Sequence, residues 1–192
     1  IPLMNEPETP NLVQNTKITD IQGQTLSDAI NPKATPKASS ADNNSLILPA
    51  NGPTTSGIGD RVHPVTGVRR MHKGVDIGAR DGSPIVAPGN ATVIYTKFIG
   101  GYGNQVAIAL KLPNTSETVF MTFSHGRNGS FKVKAGQQVT KGQTLMLVGS
   151  TGLSNGPHLH WETYRGGLGQ ILIKPSDIGY RLPRPPKAPF GV

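Results

Sequence analysis

The chain has only five histidines, and two of them stand one residue apart in "GPHLHWE", residues 156–162. On a strand, side chains alternate between faces. His158 and His160 then point the same way, and Leu159 points into the core. Two imidazoles on one surface suit a metal site, a general base beside a ligand, or a phosphoryl-carrying pair. A second cluster is "HKGVD", where His72 and Asp76 lie four residues apart. That spacing predicts one shared face of a strand or of a helical turn. Gly74 between them leaves room for a ligand or a close backbone. His125 ends the strand-like run "VFMTFSH", where a strand meets a loop.

Zinc is commonly held by imidazole nitrogens and carboxylate oxygens, with one position kept open in catalytic sites. His72, Asp76 and one histidine of "HLH" supply two imidazoles and a carboxylate. One histidine on the same strand and one on a neighbouring strand are left over. Neutral imidazoles there can accept a proton or hydrogen-bond a developing oxyanion. Glu162 shares the face of His158 and His160 if the strand continues. It is expected either to orient a ligand or to be an ordinary hydrogen-bonded glutamate. His63, before Pro64 in a turn, is expected to be structural or to sit at a groove rim. Tyr102 and Asn104, in a glycine-rich loop, are expected to line the groove.

These residues need short strands and tight turns to bring them together. "SPIVAPGNATVIYTKFI" (83–99) gives apolar runs broken by Pro-Gly, and "NQVAIALKL" (104–112) and "ETVFMTFSH" (117–125) alternate. "GQTLMLVGS" (142–150) and "HLHWETY" (158–164) follow. Turn signals every eight to twelve residues predict a mainly β fold, an antiparallel sandwich-like sheet. The 24 glycines and 17 prolines favour the same class. No long amphipathic helix is legible in this region.

Composition narrows the function further. The absence of cysteine excludes a disulfide scaffold and thiolate metal ligands. No stretch approaches the length of a membrane-spanning helix. The first residue is Ile1 rather than Met, which suggests a processed or partial chain. Residues 1–50 carry three lysines against five carboxylates, a net of −2, and residues 51–192 carry 16 basic and 6 acidic residues, a net of +10. A basic domain attracts polyanions. No basic helix or aromatic-studded basic strand is present, so nucleic acid is not the expected partner.

The segments "RVHPVTGVRRMHKGVDIGARDGSPIVAPGNATVIY", "GYGNQVAI" and "VKAGQQVTKGQTLMLVGSTGLSNGPHLHWE" resemble the lysostaphin/LytM-type zinc metallopeptidases. The resemblance spans about residues 57–164. It implies a β-sandwich-like antiparallel sheet with a groove over the metal. It implies one Zn²⁺ per chain on His72, Asp76 and His160, with His125 and His158 catalytic. The implied activity is hydrolysis of peptide cross-links or stem peptides of bacterial peptidoglycan through a metal-activated water. The implied setting is extracytoplasmic: a bacterial envelope, a secreted enzyme or a phage virion. Two departures bear on groove shape. "FSHG" stands where Tyr-Ala-His-Leu is common, and "KLPNTSET" replaces a shorter turn.

The expected organisation has three parts. Residues 1–48 form an extended, linker-like arm, with a short helix within 17–30, lying on a partner or on the main domain. Residues 49–180 form the peptidase-like domain, and 181–192 a Pro-rich tail. Two other functions compete: a non-catalytic wall-binding or activator module on the same fold, and a phosphoryl-carrying domain using the facing histidines. The first predicts lost ligands, and the second leaves His72 and Asp76 without a role.

Overall fold

Alternation of apolar and polar side chains accounts for the central strands of the computed structural model, which describes residues 45–63 and 65–184. Twelve strands are present among the described residues. They are β1 (Thr54–Ser56), β2 (Gly59–Val62), β3 (Arg69–His72), β4 (Val75–Gly78), β5 (Pro84–Val86) and β6 (Ala91–Ile99). Then come β7 (Gly103–Lys111), β8 (Thr118–Gly126), β9 (Gln138–Val139), β10 (Thr144–Leu147), β11 (His158–Arg165) and β12 (Ile171–Ile173). The only helical elements among the described residues are 3₁₀ turns at Gly100–Tyr102 and Pro175–Ile178. The expected mainly β, antiparallel class is what the structure has.

The main sheet runs β1-β4-β11-β8-β7-β6-β9, with β12 also paired to β11. Every pairing in it is antiparallel. Two smaller ribbons, β5–β10 and β2–β3, complete the fold. One face of the main sheet is apolar. Val75, Ile77, Val106, Ile108, Met121, Phe123, Leu159 and Trp161 are all buried there, with Ile85 and Met146 in the same core. Fully burying one such side chain contributes about 1.5–3 kcal/mol.

That burial fixes the register on which the site depends. On β11, Leu159 pairs with Ile77 and Trp161 with Val75, whereas His160 pairs with Asp76 and Ser124. A slip by one residue would drive the histidines into the core and Leu159 and Trp161 out of it. The apolar face thus holds the polar face in place.

Packing extends past the expected domain limits. Leu46 and Leu48 pack against the core, and Ile47 N–H donates to Pro88 O at 2.9 Å. At the other end Leu182 also packs, and Thr54 N–H donates to Pro183 O at 3.3 Å. Most of the expected arm, including its 17–30 helix, and the end of the Pro-rich tail lie outside the described residues.

Candidate metal centre and groove

His72 and Asp76 do not share one strand or one helical turn. His72 ends β3, Asp76 lies in β4, and the chain bends between them at Lys73–Gly74. The bend is possible because Gly74 lies against His160: an added Cβ would be 2.6 Å from His160 Cε1. The glycine serves a close backbone approach, one of the two uses its position suggests.

Three donor atoms converge there. His72 Nε2 is 3.1 Å from Asp76 Oδ1 and 3.0 Å from His160 Nδ1, and His160 Nδ1 is 2.8 Å from Asp76 Oδ1. All three residues are buried. Zinc bonds of 2.0–2.2 Å in a tetrahedron require ligand atoms about 3.3–3.5 Å apart. The triangle fits that ion after its edges open by about 0.2–0.7 Å.

The hydrogen-bond partners behind the donors support the same fit. His72 Nδ1–H donates to Gly57 O at 2.6 Å, which leaves the Nε2 lone pair facing Asp76. His160 Nε2 lies 3.0 Å from Glu162 Oε1, so Nδ1 faces the triangle. Tyr102 OH donates to the same glutamate oxygen at 3.0 Å, and Tyr164 OH donates to Oε2. Arg61 Nη2 donates to Asp76 Oδ2 at 3.0 Å, leaving Oδ1 for the triangle. Arg61 and Glu162 each act on one donor.

Charge is arranged for a cation. Burial pushes the Asp76 carboxyl up, but the His160 and His72 imidazoles against it outweigh this and hold the group well below the usual range. His160 shows the converse: burial disfavours its charge, yet Asp76 and Glu162 raise it to about 9. Two buried carboxylates flanking one imidazole favour positive charge at this point. A metal ion would compete with a proton for it.

The other two histidines stand beside the triangle. His125 and His158 have ring centroids 4.7 Å apart, and His125 lies 5.8 Å from the His160 ring. His125 Nδ1–H donates to Thr151 O and His158 Nδ1–H to Gly156 O, each at 2.8 Å. In its neutral form each ring thus carries its lone pair on Nε2. His158 Nε2 is 3.8 Å from Asp76 Oδ1. Burial lowers His125 to about 4, with the Thr151 bond opposing the shift. His125 also has a left-handed backbone, φ 62°, which turns its ring out of the sheet's regular course.

Gly126 next to it departs from the common pattern for a packing reason: an added Cβ would overlap the Met146 sulfur. Asn104 lies behind this corner rather than on the groove. Its amide donates to Gly126 O at 3.1 Å and Asn128 Oδ1 at 2.9 Å, so it supports the His125 loop. Thr151 also supports that loop, donating to Gly126 O at 2.7 Å. The sequence signal for Thr151 is its place in "GSTG", just before "HLH".

His72, Asp76, His125, His158 and His160 line one open groove of about 910 Å³, together with Tyr102. The β2–β3 ribbon supplies one wall. His63 is a rim residue whose Nδ1 accepts from Val65 N–H at 3.2 Å and Thr66 N–H at 3.3 Å, tying the ribbon's turn.

The profile of peptidase family M23 matches residues 70–171, just over half of the chain. A peptidoglycan DD-endopeptidase, ShyC of Vibrio cholerae, is 36% identical over 111 residues, covering 56% of this chain and 23% of its own. Among solved structures, the lysostaphin catalytic domain of Staphylococcus simulans superposes with TM-score 0.56 at 26% identity, covering 66% of this chain and 90% of that one. A zinc-containing peptidase from Vibrio cholerae gives TM-score 0.54 at 28% identity, covering 73% of this chain and 40% of that one. The chain spans about a quarter of the length of the curated relatives it matches.

Proposed function

The chain belongs to peptidase family M23, and on that premise we propose that it is a zinc-dependent endopeptidase cutting peptide cross-links or stem peptides of bacterial peptidoglycan. The observation that carries the reading is the convergence of His72 Nε2, Asp76 Oδ1 and His160 Nδ1 beside two further imidazoles whose Nδ1 atoms are held by backbone carbonyls. The three donors would hold one Zn²⁺ per chain. Bound there, zinc supplies a Lewis acid for the scissile carbonyl and makes water a nucleophile near neutral pH.

His125 and His158 handle protons. Burial keeps the His125 ring neutral at neutral pH, so its Nε2 is available to accept one. His158 presents Nε2 on the same side of the triangle. Once protonated, either ring becomes an N–H donor for the tetrahedral oxyanion or for the leaving amine. Tyr102 forms part of the substrate wall through its ring, 5.7 Å from the His160 ring, while its hydroxyl holds Glu162. Asn104 acts behind the wall, through the His125 loop. Peptidoglycan places the enzyme in a bacterial envelope, in the medium or on a phage particle. Among the described residues no helix is long and apolar enough to cross a membrane.

The test is incubation of the chain with purified sacculi, with chelator, and with chelator followed by zinc. Released fragments carrying new amino termini, lost with chelator and restored by zinc, support the reading. Binding to sacculi without release would make the protein a wall-binding module, and an acid-labile phosphohistidine would make it a phosphoryl carrier.

A further inference from the structure

The β2–β3 ribbon has two faces of different charge. Directly opposite residues in an antiparallel pair point to the same face, and Arg61 stands opposite Arg70. His72 lies two residues beyond Arg70 and shares its face. This is therefore the face turned to the groove, and Arg61, Arg70 and Lys73 all line it. The ribbon's own carboxylate, Asp60, is on the opposite face, 3.8 Å from Arg69.

Like charges directly opposite each other destabilise a ladder. The Arg61–Arg70 pairing thus works against the ribbon that contains it. Asp76 relieves part of the cost, but through one guanidinium nitrogen only. That bond is the Arg61 side chain's only hydrogen bond among the described residues, and the residue lines the groove with its other donors unspent. Arg70 and Lys73 have no ion pair or side-chain hydrogen bond among the described residues. The carboxylates lining the groove are Asp76 and Glu162. Both are engaged: Asp76 by Arg61, His72 and His160, Glu162 by His160 and two tyrosines. The charge left facing a bound peptide on this wall is positive.

We propose that the wall is a carboxylate-recognition subsite. Arg61, Arg70 and Lys73 select peptides with a free carboxylate beside the scissile bond over peptides in which that group is amidated or absent. The inference rests on the endopeptidase reading and names the substrate class for the same groove. A guanidinium fork receives a carboxylate through paired N–H donors, whereas an amide in its place brings its own donors against the cations. Arg70 and Lys73 are exposed and Arg61 is half-buried, so each cation contributes modestly and the summed preference is about five- to tenfold.

The experiment uses two synthetic stem-peptide dimers, identical except that the carboxylates beside the scissile bond are free in one and amidated in the other. The zinc-loaded full chain is assayed on both at low and high salt. The expected result is a kcat/KM about five- to tenfold higher on the free carboxylate, carried by KM and shrinking as salt screens the wall. The double substitution Arg70→Gln, Lys73→Gln should bring the ratio down toward one, and Arg70→Glu, Lys73→Glu should invert it. Zinc content measured on each variant separates a lost subsite from a lost metal. Equal rates on the two dimers with the parent chain, or a preference that survives charge reversal, overturns the subsite. Failure to cut either dimer instead overturns the endopeptidase reading beneath it.

Discussion

Glu162 Oε1 stands 3.0 Å from His160 Nε2, two residues away on the same strand. Alternation along β11 puts both side chains on the groove face, so the glutamate reaches the nitrogen that points away from the triangle. Tyr102 and Tyr164 hold the carboxylate in place. Glu162→Ala removes the group that fixes the orientation of His160. Zinc affinity, measured by competition with a chromogenic chelator, should fall about 10- to 100-fold. Affinity equal to the parent would show that Glu162 does not position the ligand.

Gly74→Ala should be more damaging than a surface glycine replacement. The new methyl would meet His160 Cε1 at 2.6 Å and the Trp161 carbonyl at 2.8 Å. One partner is a buried imidazole of the proposed metal triangle and the other is strand backbone, so neither can yield cheaply. Overpacking of this kind costs about 1–3 kcal/mol. The variant should melt several degrees lower and hold less zinc. A parent-like melting temperature with full zinc would contradict the packing account.

The zinc-free chain should lose stability on mild acidification through His125. Its folded value of about 4 lies below the ordinary 6.5. Between those values the unfolded chain binds the extra proton, so the His125 contribution to stability falls as pH drops through this window and is level above it. His125→Asn should flatten that part of the curve. Denaturant midpoints of both chains from pH 7.5 down to about 4 provide the comparison. An unchanged slope in the variant would assign the loss to other groups.

Much of this site is legible in the amino-acid sequence. Alternation in "NQVAIALKL", "ETVFMTFSH" and "HLHWETY" identifies β7, β8 and β11, because each strand has one face in the core. The same rule places His158, His160 and Glu162 together. It fails for His72 and Asp76, whose four-residue spacing suggests one regular element. A glycine packed against an imidazole instead allows two strands to meet at a bend. Arg61 was not legible at all. Its bond to Asp76 depends on how a separate ribbon folds over the sheet, and no local periodicity encodes that. Asn104 looked like a groove residue from its glycine-rich neighbours, whereas its burial behind His125 is set by pairing with β8.

Residues 1–44 are expected to be dispensable for hydrolysis, because their composition is that of a linker. Leu46 and Leu48 pack on the core, so a truncated chain should begin no later than Ser45. It should fold, bind zinc and cleave soluble muropeptides at the parent rate. A truncated chain that is folded and zinc-loaded but inactive would give the arm a part in the reaction. A faster one would mean that the arm covers the groove.

Zinc per chain, measured by elemental analysis beside turnover, tests the central claim most directly. His72→Ala, Asp76→Ala and His160→Ala should each lose most of the metal, because a three-donor site cannot spare one. His125→Ala and His158→Ala should retain about one zinc per chain and lose about 10²–10⁴ in turnover, the usual effect of removing a proton-transfer partner. The decisive pair is His158 and His160, which share one face of β11 but differ in their neighbours. His158 Nε2 lies 3.8 Å from Asp76 Oδ1, whereas His160 Nδ1 lies 2.8 Å from it. The account predicts zinc in His158→Ala and none in His160→Ala; the reverse result would contradict it.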